Sequence, residues 1–207
     1  QAFAEMLRVT WDPSPALSVR IDPGTWPPGE DGLSPTLDRL LTLSPNIAFV
    51  KPGIMRDGRE MTLFPTTLRP LAADQLNHIA WQTERRAGVP VFIDLPAAWL
   101  DEPALVADLA RQVNFAGLRV HAAPDSAAAE RVRQAAGHWV WPLQMAYAVD
   151  QPPMPEQWAR LRHGDLVVLP ASEENIAAVP REMVGRVLFE FDASLPPATI
   201  ARRMNRL

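Results

Sequence analysis

The sequence predicts an α/β fold: a (β/α) TIM-like barrel of about seven βα units that stops short of closure. Three observations carry that prediction. Short apolar runs alternate with helical segments about seven times along 207 residues, and such alternation implies a parallel sheet with crossover helices. So many units in one chain suit a barrel better than an open doubly wound sheet. No G-x-G-x-x-G follows any strand, which lowers the dinucleotide-binding alternative.

Each element has its own warrant. Residues 1–15 read as a linker or terminal arm, and 16–207 as the barrel domain. Ala16 to Asp22 is the first strand. Ser34 caps a helix with Pro35 at its first position and Leu37, Leu40 and Leu41 on its apolar face. Asn46 to Lys51 is the second strand, followed by a long loop from Pro52 to Pro70. The stretch Phe64 to Pro96 is the clearest unit. Leu71, Leu76, Ile79 and Ala80 recur at helical spacing, Arg85 and Arg86 complement the dipole in the last turn, and Gly88 ends the helix. Val89 to Ile93 is a β-branched run suited to a strand covered on both faces. Asp101 is expected to cap a third helix with Leu105, Val106 and Leu109 inward. Phe115 to His121 is the fourth strand. Asp125 or Ser126 caps an Ala-rich helix ending at Gly137. His138 to Met145 is a fifth strand interrupted by Pro142. Pro155 to Leu161 is a short helix, Asp165 to Leu169 the sixth strand, and Glu173 to Val179 a helix. Arg186 to Phe191 is the seventh strand, and a last helix opens at Pro197. No eighth strand follows, so the barrel reads as incomplete, by nature or by truncation; Gln1 is not a natural start.

Composition narrows the function classes. A hydrophobic fraction of 47% with 21% charged residues is a globular balance. The net charge of −4 offers no basic stripe for nucleic acid. With no cysteine, disulfides, thiolate metal sites and cysteine nucleophiles are all absent, which fits an oxidising compartment such as the periplasm. No apolar run reaches the ~18 residues of a membrane span. The 22 prolines fall mostly between the periodic segments.

In a barrel of this type the active site lies at the C-terminal strand ends. Those ends, or the residues just past them, are Asp22, Lys51, Asp94, His121, Gln144, Glu173 and Glu190, with Asp192 two residues on. Carboxylates converging on one mouth suit glycoside hydrolysis, where one donates a proton and another acts as base or nucleophile. They equally suit binding of an amino sugar or another cationic ligand. Trp26, Trp99 and Trp141 lie near the same ends and can stack on sugar rings, or simply pack in the core. A carboxylate at a strand end also serves as a helix cap or loop ion pair. Glu190 differs, because it sits between Phe189 and Phe191 within an apolar strand. Alternation turns it away from both phenylalanines, toward the lumen or toward the helix layer. No His or carboxylate cluster has metal-ligand spacing, no G-x-S-x-G is present, and no cofactor is implied.

These residues resemble the C-terminal barrel domain of PgaB-type proteins, which process the biofilm polysaccharide poly-β-1,6-N-acetylglucosamine (PNAG). LFPTTLRPLAADQLNHIAWQTERRAGVPVF is similar to that family's run of Phe-Pro-Asn, Leu-Pro, Ala-Asp, Ala-Trp-Gln and Arg-Ala-Gly-Val. SVRIDP resembles its first barrel strand, and LDRLL with PNIAFVKPG its next helix and strand. FAGLRVH resembles the strand before its His-Asp-Asp motif, LPASE a Met-Pro-Tyr-Met-Glu motif, and RVLFEFDA a Val-Phe-Glu-Leu-Gln strand. The order holds from about Ala16 to Leu207. The resemblance implies a periplasmic domain that binds partly deacetylated PNAG during export, beside a deacetylase domain or an outer-membrane export protein. Glu173 and Glu190 match the family's glutamates, so the resemblance implies sugar contacts there, and the strand-end reading adds Asp22, Asp94, His121, Asp192, Trp26 and Trp99 as candidate substrate contacts. The chain also departs from the family. Ala122 and Ala123 replace the two acidic residues after His121, Arg20 replaces an acidic residue, and Ala171 replaces an aromatic one. Alanine cannot move a proton, so hydrolysis is expected to be lost or reduced. A hydrolase using Glu190 with Glu173 or Asp94 is the second reading, and a scaffold barrel that docks a secretion partner is the third.

Overall fold

A computed structural model describes residues 18–21, 38, 47–50, 53–56, 59–62, 70–137 and 143–190. Nine strands are described: β1 Ser18–Ile21, β2 Ile47–Val50, β3 Gly53–Arg56, β4 Arg59–Thr62, β5 Val91–Asp94, β6 Gly117–Val120, β7 Gln144–Ala148, β8 Leu166–Pro170 and β9 Val187–Glu190. Five helices lie among them: α1 Pro70–Ala87, α2 Pro103–Gln112, α3 Ala127–Ala135, α4 Pro155–Trp158 and α5 Glu173–Ala178. The main sheet has the order β1-β2-β5-β6-β7-β8-β9 and is parallel at every pairing. It curls into a half-barrel, an α/β architecture consistent with an incomplete TIM-like barrel. Of the helix expected from Ser34 only Asp38, which is helical, is described; the helix expected from Pro197 and strand residues Asp22 and Phe191 lie outside the described residues.

Alternation along the strands sorts the core into two layers. Ala48, Val50, Val91, Ile93, Leu118, Val120, Met145, Tyr147, Val167 and Leu169 face the helices, where they meet Leu76, Ile79, Leu105, Val106 and Leu109. The opposite parity, Ile47, Phe49, Phe92, Ala146, Leu166, Val168 and Leu188, forms a smaller cluster on the concave face. Both faces of these strands are therefore covered, which is why they read as unbroken apolar runs. Gly117 is required on the concave side: a Cβ there would sit 2.3 Å from Phe92 Cε1 and 2.6 Å from the Gln144 carbonyl oxygen.

Helix α1 ends as its sequence predicts. Gly88 adopts φ 67°, and its N–H reaches the Glu84 carbonyl at 2.9 Å. Three expectations need correction. The loop after β2 contains an antiparallel hairpin, β3 with β4, whose register pairs Arg56 with Arg59; the sequence between them is Asp-Gly. Asp-Gly is itself a strong hairpin signal, and the charged residues around it hid the alternation. The fifth strand begins at Gln144 and runs to Ala148, beyond the predicted end at Met145. Pro142 has no N–H for the ladder, whereas Met145 and Tyr147 supply the helix-facing parity. Asp101 does not cap α2. Glu102 holds that position without a side-chain bond, Pro103 opens the helix, and Asp101 instead pairs with Arg131 at 2.8 Å. Of the two candidates before α3, Ser126 is the cap, its Oγ accepting the Ala129 N–H at 3.2 Å.

Candidate functional site

A parallel sheet puts every strand's C-terminal end on one edge, and the predicted residues Asp94, His121 and Glu190 meet there. Asp94 ends β5, His121 follows β6 directly, and Glu190 ends β9. The residue that joins them is Arg119, in the middle of β6. Leu118 and Val120 face the helices, so Arg119 and Glu190 share the concave face with Leu188.

Arg119 is 2% exposed, yet it lies between two carboxylates. Its Nη2 donates to Glu190 Oε2 at 2.8 Å, and Nη1 lies 2.7 Å from Oε1. The second approach is ionic rather than a well-aligned hydrogen bond, because Nη1 makes none. Nε lies 3.6 Å from Asp94 Oδ1, again as an ion pair. The guanidinium carbon sits 4.9 Å from the centroid of the Phe49 ring, a cation–π arrangement in a desolvated place. Strands β6 and β9 are three steps apart in the sheet, about 14 Å if it were flat. The Arg119–Glu190 pair closes because the sheet curls. Ala146, which lies opposite Arg119 in register, leaves room for the long side chain.

His121 completes the group. Its Nε2 lies 3.0 Å from Asp94 Oδ1, and 42% of its side chain is exposed. The Glu190 side chain is 31% exposed and that of Asp94 is 9% exposed, so depth increases from His121 to Glu190 to Asp94 to Arg119. Among the described side chains of the group, two carboxylates and one guanidinium leave one negative charge when His121 is neutral.

The other predicted residues are placed differently. Glu173 is the first residue of α5, exposed, behind a Ser172 cap. Trp99 is 4% exposed and packs in the helix-side core, away from the concave face. Asp22, Trp26, Lys51, Trp141 and Asp192 lie outside the described residues. Gln144 begins β7, at the opposite end from Asp94 and Glu190. Ala122 and Ala123 are half-buried beside His121. Sequence reasoning missed Arg119 and Asn175. The signal for Arg119 was available: a cation inside FAGLRVH at the same parity as His121. Asn175 Nδ2 donates to the Asp150 carbonyl at 3.0 Å and the Pro170 carbonyl at 2.9 Å, tying together the loops after β7 and β8. Among the described residues no group of three or more His, Cys, Asp or Glu could hold a metal ion.

A second polar cluster lies toward the strands' N-terminal ends, on the helix side. Asp165 accepts from Arg133 Nη2 at 2.7 Å, the Arg162 N–H at 2.9 Å and the Met145 N–H at 3.0 Å. Arg133 also donates to the Tyr147 hydroxyl. Burial works against the Arg133 cation, but Asp165 and Tyr147 outweigh it and raise its affinity for the proton. Burial, helped by the Asp165 charge, pushes Tyr147 above its ordinary value of 10.0. Buried and internally paired, this cluster stabilises the seam between α3, β7 and β8.

No model of a known protein family matches the chain, and no curated protein matches it. Among the described residues no helix is long and apolar enough to cross a membrane.

Proposed function

We propose that this chain is a polysaccharide-binding half-barrel that takes partly deacetylated PNAG at the concave mouth without cleaving it. The observation that carries this reading is the hold of Arg119 on Glu190. A general acid must carry a proton toward the leaving group, whereas each Glu190 oxygen lies 2.7–2.8 Å from a nitrogen of a buried guanidinium. Next to His121, Ala122 and Ala123 supply no replacement. Among the described side chains of the mouth, the two carboxylates outnumber the one guanidinium, a balance that suits a ligand that is neutral or cationic, as a polymer with some free amines is. The sequence resemblance supports the same polymer, a periplasmic location, seven βα units, and a neighbouring deacetylase domain or outer-membrane export protein.

The test is retention on immobilised PNAG of graded deacetylation. Retention that rises with deacetylation and weakens in Asp94→Asn is the expected result. Equal elution from PNAG and from an uncharged matrix overturns the proposal and leaves a scaffold role.

A further inference from the structure

The Asp94–His121 pair fixes more than a side-chain position. A carboxylate accepts hydrogen bonds, so at 3.0 Å the proton of the contact belongs to His121 Nε2. A neutral imidazole carries one ring proton, which leaves Nδ1 with a lone pair. Asp94 is in turn oriented by Arg119, whose Nε lies 3.6 Å away and whose guanidinium is anchored on Glu190. The chain Glu190–Arg119–Asp94–His121 therefore starts at a partly exposed carboxylate, passes through the buried Arg119 and Asp94, and emerges at His121, the most exposed member of the group.

We infer that Asp94 locks neutral His121 as the Nε2–H tautomer, so that in this form Nδ1 is a fixed hydrogen-bond acceptor for an O–H or N–H donor of the ligand. The site then selects by hydrogen-bond polarity. Hydroxyls and amines find a lone pair, while carboxylate or sulfate groups meet that lone pair beside the Asp94 and Glu190 carboxylates. Anionic glycans are excluded by this chemistry and amino sugars are favoured. In this account Asp94 is a positioning residue that acts through His121. The inference rests on the proposed glycan-binding role of the same mouth.

The experiment is ring ¹H–¹⁵N correlation on the labelled protein, with the His121 signals identified by their loss in His121→Phe. Calorimetric titration accompanies it, using fully acetylated β-1,6-linked glucosamine oligomers, partly deacetylated ones, and a uronic acid oligomer. The expected result is a proton on Nε2 and a bare Nδ1 whose signal moves on adding oligomer. His121→Phe should weaken binding about three- to tenfold, the worth of one hydrogen bond. In Asp94→Asn the side-chain amide can donate to Nε2, and the ring proton should move to Nδ1. A proton on Nδ1 in the unaltered protein overturns the inference even if oligomers bind. So does uronate binding as tight as that of the amino sugar. A proton on Nε2 with no oligomer bound overturns the proposed function instead, and leaves the tautomer assignment standing. The exposed position of His121 keeps the Phe variant folded, and the tautomer readout needs no variant that touches the core.

Discussion

Replacing Arg119 with methionine is the most informative perturbation of the fold. Methionine keeps much of the volume and none of the charge, so Glu190 loses both of its contacts with the guanidinium and Asp94 loses its cationic neighbour. Removing one member of a buried pair costs about 3–5 kcal/mol. Here Glu190 is 31% exposed and water screens it, so the lower end, about 3 kcal/mol, is expected. The lost contact with the Phe49 ring adds to the cost rather than offsetting it. Urea denaturation reads this directly: with a slope near 2 kcal/mol/M, the midpoint should fall by about 1.5 M at constant slope. The double variant Arg119→Met with Glu190→Gln should recover about 1–2 kcal/mol of that loss, because the Glu190 charge then no longer faces an apolar wall and only Asp94 still lacks the Arg119 cation. A single variant costing less than about 1 kcal/mol, or a double variant no more stable than the single, would refute the claim that Glu190 is held by a buried charge.

Three further outcomes follow from the same structure. Gly117→Ala should destabilise by about 1–3 kcal/mol or more, since its Cβ would meet both the Phe92 ring and the Gln144 carbonyl; thermal unfolding checks it. Burial raises Glu84 above 4.5, with the Val91 N–H at 3.4 Å opposing in part. The folded chain therefore binds more protons than the unfolded one just above pH 4.5, so stability falls as pH rises through that window, and Glu84→Gln should abolish the fall in urea midpoints taken across it. Tyr147 is the single tyrosine, so ultraviolet titration reads it alone: its midpoint should lie above pH 10.0 in the folded protein, move down in urea, and move down in Asp165→Asn.

Much of the fold was legible because each strand buries both faces. The apolar runs at Ile47–Val50, Val91–Asp94, Gly117–Val120 and Leu166–Pro170 announced themselves, and Gly88 marked the end of α1. Elements whose pattern mixes charge with turn chemistry were hidden. Arg56 and Arg59 masked a hairpin, and HWVWP drew the fifth strand upstream of the residues that pair. The site was legible as far as strand-end parity reaches. Asp94, His121 and Glu190 fell at one edge because parallel strands share a direction. Their connection was not legible, since it depends on curvature: β6 and β9 exchange an ion pair only when the sheet bends. Alternation left Glu190 two possible faces, and the packing of Leu188 on the concave side decides between them. Trp99 shows the opposite error, a residue near a strand end in sequence that the turn Ala97–Asp101 carries into the helix-side core.

The most direct test of binding without cleavage is mass spectrometry of partly deacetylated PNAG after incubation with this protein, beside the Glu190→Gln variant. The account predicts polymer retained by the protein and a product spectrum identical to that of polymer incubated alone. New oligosaccharides that vanish in Glu190→Gln would contradict it and make Glu190 a catalytic residue despite Arg119.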